Sequence, residues 1–339
     1  MNIVFFTYSR QGCNTVRRIR ECFAYDNQKA YTMDRFKDTD FLPIEDFSKT
    51  LYKDLFSWAD AMIFVSSCGI AVRKIAPYIN DKSTDPAVIC VDDSGKYVIP
   101  VLSGHIGGAN DLARKIADKL CAAAVITTAT DINNRFAVDS WAAKQGFVID
   151  DMTLAKDVSA EILERDVPVV CDFCTLSDYP KGLKAGKNGR IGIYIGWNKK
   201  TPFEKTLRII PPVLHLGIGC RRGTKAESIR SAVNEILNAY DIDKRAIKYV
   251  ASINLKSKED GLLEYCRENG WEIYFYTADE LQSLQGDFTA SSFVREITGI
   301  DNVCERAAMM GAKSLIVKKT AVNGVTAAVA AENTEVRFE

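Results

Sequence analysis

The chain opens on an apolar stretch over residues 3–7, followed by apolar side chains at Val16, Ile19, Cys22 and Phe23. A short unbroken apolar run suits a strand buried on both faces, and a spacing of three to four suits one face of a helix. This alternation continues to about residue 130. Residues 61–65 read as a short buried strand, and 70–79 as a helix with Pro77 near its end. Residues 87–91 and 97–102 read as strands joined by the turn Asp93-Ser94-Gly95-Lys96. Leu112, Ile116 and Leu120 mark the buried face of the next helix, and 124–128 a further strand. Strands alternating with helices predict a sheet covered by helices.

Residues 133–210 are less regular. They contain a helix near 138–144, strands at 167–171 and 191–197, and a Gly- and Lys-rich stretch at 181–190 that reads as a mobile loop. Pro211-Pro212 can continue neither a helix nor a sheet ladder, so a boundary is expected there. Beyond it the pattern restarts with a strand at 213–218. Thr224 and Glu227 match a capping box ahead of a helix whose face is Ile229, Val233, Ile236, Leu237 and Tyr240. A strand at 249–255 follows, then a helix carrying Leu262, Leu263 and Cys266 that stops at Gly270. A strand at 271–276, a second capping box at Thr277 and Glu280, and a helix near 303–310 come next. Strands at 314–317 and 325–329 flank Asn323-Gly324, a two-residue hairpin signal. The prediction is an α/β, multi-domain chain. Its parts are a strand–helix alternating N-terminal domain (1–132), a mixed α/β middle region (133–210) and a three-layer α/β/α C-terminal domain (213–335).

The 339 residues are enough for two or three domains, which agrees with that division. Lys+Arg and Asp+Glu both number 44, and a chain without net charge is not built to coat nucleic acid. No apolar run exceeds seven residues (120–126), and the opening run is too short for a signal-peptide core. A bilayer span needs about 20 apolar residues. The expected location is therefore the cytoplasm, with no membrane contact. Ten cysteines without an export signal read as free thiols in a reducing compartment. Cys171 and Cys174 form a lone CxxC and the chain has two histidines, His105 and His215, so no metal site is expected.

Three segments share a strand, a Gly-containing turn and a helix start, where free N–H groups favour anions. In the first, Ser66-Ser67-Cys68-Gly69, the binding candidates are Ser66 and Gly69. In the second, Ser103-Gly104-His105-Ile106-Gly107-Gly108-Ala109-Asn110, they are Ser103, Gly104, Gly107, Gly108 and Asn110. His105 there sits in a loop left open by glycines and is suited to move a proton near neutral pH. The third segment, Gly217-Ile218-Gly219-Cys220-Arg221-Arg222-Gly223-Thr224, has neither Walker A nor dinucleotide spacing. Its adjacent guanidinium groups suit a ligand with several carboxylates. Gly217, Gly219, Arg221, Arg222, Gly223 and Thr224 are its binding candidates. Cys220 is a candidate catalytic thiol, since a thiol pKa can fall at such a junction. Asp131 ends a strand and reads as a base, an N-cap or a turn former. Glu305 reads as a solvated helix position, Lys256 and Lys318 as solvent-facing strand ends, and His215 as a half-buried strand residue.

Together these segments resemble the cobalamin biosynthesis protein G (CbiG) family, the cobalt-precorrin-5A hydrolases of anaerobic vitamin B12 synthesis. The resemblance lies in 103–113, in 127–131, in 217–223, in Val303-Cys304-Glu305-Arg306-Ala307-Ala308 and in the closing 318–330. It is good over about 60–131 and 213–330 and weak elsewhere. Arg306 departs from the small residue that the family tends to carry. The resemblance implies an enzyme that opens the δ-lactone of an anionic, ring-contracted cobalt tetrapyrrole and releases acetaldehyde. It implies no cofactor, the cobalt being carried in the substrate, and transient contact with neighbouring enzymes of the pathway. The alternatives are a non-hydrolytic tetrapyrrole-binding or transfer protein of the same pathway and a nucleotide-dependent α/β enzyme.

Overall fold

A computed structural model of the chain describes residues 1–44, 49–81, 84–104, 107–128 and 135–338. It divides into two compact units, Met1–Ser140 and Trp141–Glu339.

The strands of the first unit are β1 (Asn2–Thr7), β2 (Asn27–Thr32), β3 (Leu42–Pro43), β4 (Ala61–Val65), β5 (Ala87–Val91), β6 (Tyr97–Leu102) and β7 (Ala123–Ala124). Among the described residues they form one sheet in the order β3-β2-β1-β4-β5-β6-β7. Helices α1 (Arg10–Arg20), α2 (Lys49–Trp58), α3 (Cys68–Ile75) and α4 (Ala109–Leu120) cover it. Alternate side chains of β1 point to opposite faces. Ile3 and Phe5 pack with Val16 and Ile19 of α1 and Ile116 and Leu120 of α4. Val4 and Phe6 pack with Tyr52 and Phe56 of α2 and Ala71 and Ile75 of α3. Both faces are therefore buried, which is why the parallel strands read as continuous apolar runs.

One reversal matters for function. β6 runs antiparallel to β5, with Val88 opposite Leu102 and Val91 opposite Val98. Its C-terminal end therefore lies beside the start of β5, at the opposite edge of the sheet from the end of β4. Other expectations shift by smaller amounts. The helix expected at 70–79 begins at Cys68 and gives way to a 3-10 turn at Ala76–Tyr78, which contains Pro77. The strand expected at 124–128 is confined to β7.

Helix α5 (Val138–Lys144) leads into the second unit. There, β8 (Val148–Ile149), helix α6 (Met152–Glu164), β9 (Val167–Cys171), β10 (Cys174–Thr175), β11 (Leu183–Ala185), β12 (Ile191–Ile195) and β13 (Lys205–Ile210) follow in turn. A first sheet has the order β11-β9-β12-β13-β8 among the described residues. The supposed loop at 181–190 thus contributes the edge strand β11, which pairs in parallel with β9. The second sheet is formed by β14 (Leu214–Cys220), β15 (Ile247–Ile253), β16 (Glu272–Tyr276), β17 (Ser314–Val322) and β18 (Val325–Ala331). Its order is β16-β15-β14-β18-β17. Helices α7 (Ala226–Ala239) and α8 (Asp260–Glu268) lie against one face. Of α9 (Ala278–Ser283), α10 (Ser292–Thr298) and α11 (Cys304–Met309), the last lies on the other face, so the expected α/β/α layering is present. The closing β19 (Glu335–Val336) pairs with β10. Asn323 and Gly324 both have positive φ, +50° and +83°, as a type I′ hairpin turn requires.

Residues 211–213 link the two sheets of this unit, and charge also ties the sheets together. Arg208 of β13 donates to Asp150 Oδ2 (2.9 Å) and to Asp243 Oδ2 (3.0 Å), and Arg245 also donates to Asp243. Burial alone would raise the Asp243 carboxyl. The Arg245 and Arg208 donors outweigh it and hold the group down to about 2. A carboxyl depressed by folding contributes stability above its unfolded pKa of about 3.9, and that contribution is lost as pH falls through the folded value. Between pH 4 and 2 the protein is expected to lose about 2 kcal/mol from this one group. The check is urea midpoints against pH: Asp243→Asn should be less stable at pH 6 and show a shallower acid limb.

Candidate functional site

In the first unit the described residues of the second segment lie close together. Ser103 sits at φ +55°, a region that non-glycine residues seldom occupy, and its Oγ donates to Asp85 O (3.0 Å). The Ala109 N–H donates to Ser103 O (3.1 Å) and the Asn110 N–H to Gly104 O (3.0 Å). A side chain on Gly107 would overlap the Ser103 Cβ, and Gly108, at φ +77°, starts α4. Asn110 is buried and donates from Nδ2 to Thr128 Oγ1 (3.0 Å). Ser103, Gly104, Gly107, Gly108 and Asn110 are thus brought together. His105 and Asp131 lie outside the described residues.

Ser66 and Gly69 are not part of this cluster. They follow β4, at the opposite edge of the same sheet from the end of β6. Ser66 is buried, donates from Oγ to the Ser67 carbonyl and from its backbone N–H to Val91 O. The direction of β6 accounts for this separation. The four-residue turn at 93–96 carried the signal, since so short a link joins antiparallel strands.

In the second unit β14 alternates Leu-His-Leu-Gly-Ile-Gly. Leu214, Leu216 and Ile218 face α7, which leaves His215, Gly217 and Gly219 for the face of α11. Gly217 and Gly219 are therefore strand residues rather than turn residues. A Cβ on Gly217 would overlap the Cys304 carbonyl oxygen, and one on Gly219 would stand 2.6 Å from Thr326 Oγ1. Their lack of a side chain is explained by packing of helix and strand, not by a ligand-binding turn. Burial pushes the Cys220 thiol up, and the nearby Lys256 ammonium only partly offsets this. The expected low-pKa thiolate is corrected accordingly.

The turn proper begins at Arg221. Arg221 and Arg222 are exposed, and among the described residues neither guanidinium makes a hydrogen bond or salt bridge. Gly223 has φ +74°, and its N–H donates to Glu259 Oε2 (2.9 Å). Thr224 does not cap the helix. Its Oγ1 donates back to Arg221 O (2.7 Å), and Lys225 occupies the N-cap of α7 without a side-chain bond. By contrast, the box at Thr277 and Glu280 forms as expected. A cavity of about 730 Å³ opens beside the turn between the starts of α7 and α8, and its wall mixes Arg222, Lys225, Arg230 and Lys258 with the acidic Glu227, Glu259, Asp260, Glu264 and Glu268. That size falls in the range of small-molecule sites. The N–H groups of Ala109 and Asn110 are thus engaged by loop carbonyls, and that of Gly223 by Glu259.

Lys256, Glu305 and His215 differ from expectation. Lys256 does not face solvent, because its Nζ donates to Glu259 Oε1 (3.3 Å). Glu305 is fully buried. Its carboxylate accepts from Thr289 N (2.7 Å), Thr289 Oγ1 (2.8 Å), Asn302 Nδ2 (3.0 Å) and Lys319 N (2.6 Å). Arg306, also buried, donates to the carbonyls of Leu281 and Leu284 and stacks on Phe288. His215 is 1% exposed rather than half-buried, hydrogen-bonded to Glu332 (2.9 Å) and Tyr249 Oη (2.8 Å). Glu259 escapes sequence reading because it stands in the run Lys-Ser-Lys-Glu-Asp, which reads as a solvated turn. Burial pushes Cys171 of the CxxC pair up to about 11. Among the described residues no three His, Cys, Asp or Glu side chains are grouped to hold a metal, and no helix is long and apolar enough to cross a membrane.

Residues 50–131 match the family model described as Cobalamin synthesis G N-terminal, and 214–330 match Cobalamin synthesis G C-terminus. A curated relative from Priestia megaterium, named cobalt-precorrin-5A hydrolase, is 33% identical over 95% of this chain and 92% of its own length. A relative of the same name from Salmonella typhimurium is 29% identical over 86% of this chain and 87% of its own. With both family regions present in order and a one-third identity spanning nearly the whole length, the chain belongs to the cobalamin synthesis G family.

Proposed function

We propose that this chain is a cobalt-precorrin-5A hydrolase. The observation that carries the reading is the near full-length identity to relatives of that name. Water opens the δ-lactone of the cobalt tetrapyrrole, and the two-carbon fragment leaves as acetaldehyde. The cobalt arrives within the substrate. Arg221 and Arg222 bind peripheral carboxylates of the macrocycle. Their exposure and lack of partners support this role, since a guanidinium presents a two-pronged donor face that matches a carboxylate. His105 takes the proton from the attacking water. Cys220, with its thiol pushed up by burial, is left without a nucleophilic role.

The test is acetaldehyde release from cobalt-precorrin-5A by the purified protein. Arg221→Ala should raise KM about tenfold with little change in kcat, because it removes binding shared by ground and transition states. Binding of the pigment with no acetaldehyde formed would replace the hydrolase by the transfer protein. An unchanged KM in both Arg221→Ala and Arg222→Ala would remove the arginines from the site.

A further inference from the structure

The turn that carries Arg221 and Arg222 is held from three directions. From within, Thr224 Oγ1 donates to Arg221 O (2.7 Å). From below, the first turn of α8 presses on it so closely that a Cβ on Gly261 would overlap the Thr224 carbonyl oxygen. From the side, Glu259 reaches across from the residue preceding α8. One of its oxygens accepts the Gly223 N–H (2.9 Å), and the other accepts Lys256 Nζ (3.3 Å). The Glu259 and Lys256 side chains are only 11% and 18% exposed. An exposed lysine–glutamate pair three residues apart on a helix would contribute little. This pair differs because the carboxylate also ties a backbone amide 36 residues away. The two arginines precede that amide directly, and the Arg222 guanidinium also helps to hold the Glu259 carboxyl below its ordinary value.

We propose that Glu259 is a positioning residue, bridging the Gly223 amide and the Lys256 ammonium so that Arg221 and Arg222 meet a polycarboxylate substrate as a fixed pair. The proposal rests on the reading of the arginines as substrate ligands. Two long flexible side chains on an unrestrained turn lose more freedom when they bind, and a clamp on the turn reduces that loss. The clamp acts through the amide bond more than through its charge. Glutamine at 259 keeps a carbonyl oxygen for the Gly223 N–H but turns its amide nitrogen toward the Lys256 ammonium and loses the charge that Lys256 and Arg222 feel, whereas alanine gives up the amide bond as well. Aspartate is one methylene short of spanning the two partners.

The experiment compares Glu259→Ala, Glu259→Gln and Glu259→Asp in the full chain. It measures steady-state acetaldehyde release and hydrogen–deuterium exchange of the peptide over 220–225. Glu259→Ala should raise KM about tenfold with kcat within about twofold, and exchange at 220–225 should quicken. Glu259→Gln should fall between wild type and alanine in both readouts, because it keeps the bond to the Gly223 amide and loses the charge. Glu259→Asp should move both in the direction of alanine by a smaller factor, which keeps the proposal open to refutation if the alanine variant does not fold. An unchanged KM and exchange in the aspartate or alanine variant, or a glutamine variant as impaired as alanine, overturns it. If the wild-type protein releases no acetaldehyde, the functional reading fails. The exchange comparison then still decides whether Glu259 holds the turn.

Discussion

Glu305→Ala is expected to destabilise the second unit by about 3–5 kcal/mol, the usual cost of removing one partner from a buried charged network. The carboxylate sits in the first turn of α11, where the helix dipole favours a negative group. Its oxygens gather the loop at Thr289, the side chain of Asn302 and the backbone of β17 at Lys319. Alanine leaves those donors buried without an acceptor and removes the tie between α11 and the edge of the sheet. For a unit of this size the shift in Tm should be roughly 10 °C. Glu305→Gln should fall between the two, because its amide nitrogen must face a group that itself donates. Calorimetry of the three proteins decides the matter, and a loss below about 1 kcal/mol in the alanine variant would show that the network has relaxed around the gap.

His105→Ala is expected to lower kcat about 10²–10⁴-fold, the range for loss of a general base, with KM held within a few-fold. The argument comes from the chain around it. Ser103 is fixed in the left-handed region and bonded to Asp85 O, and Gly107 lies too close to Ser103 to tolerate a side chain. Ser103 and Gly107, which bracket His105 in the sequence, are therefore left with little freedom to move. A base must be unprotonated, so wild-type kcat/KM should decline as pH falls through the range in which an imidazole takes up a proton, and that limb should vanish in the variant. Full activity in His105→Ala would assign the proton transfer to another group while leaving the arginine assignments untouched.

Much of the architecture is legible in the sequence because local rules and global packing agree. The helix at 138–144, the strand at 167–171, the Thr277 cap and the Asn323-Gly324 turn are each set by a few neighbouring residues. The failures arise where one local pattern has two outcomes. Thr224 with Glu227 satisfies the letter of a capping box, yet the helix starts one residue later and the hydroxyl turns back to Arg221 O. Helix α6 is missed although Asp151 caps it and Ala155, Val158 and Ile162 line its buried face. The site is less legible. Glycines at 217 and 219 look like ligand-turn residues because the sequence cannot show that a helix crosses the strand at Gly217 or that Thr326 of the neighbouring strand crowds Gly219. Glu305 and Glu259 look like surface charge because their partners lie 14 and 36 residues away. Burial of a carboxylate is decided by distant backbone amides, and no periodicity reports them.

Arg208 and Asp243 stand on either side of Pro211-Pro212, and the bond between them bears on how this protein can be recombined with its relatives. A chimera spliced at those prolines would inherit one half of the contact from each parent. Unless the donor supplied an acid and a base at matching places, the graft would carry an orphaned guanidinium on one sheet and an orphaned carboxylate on the other. Homologous transplants are better exchanged as the whole stretch from 141 onward, which keeps both charges of parental origin.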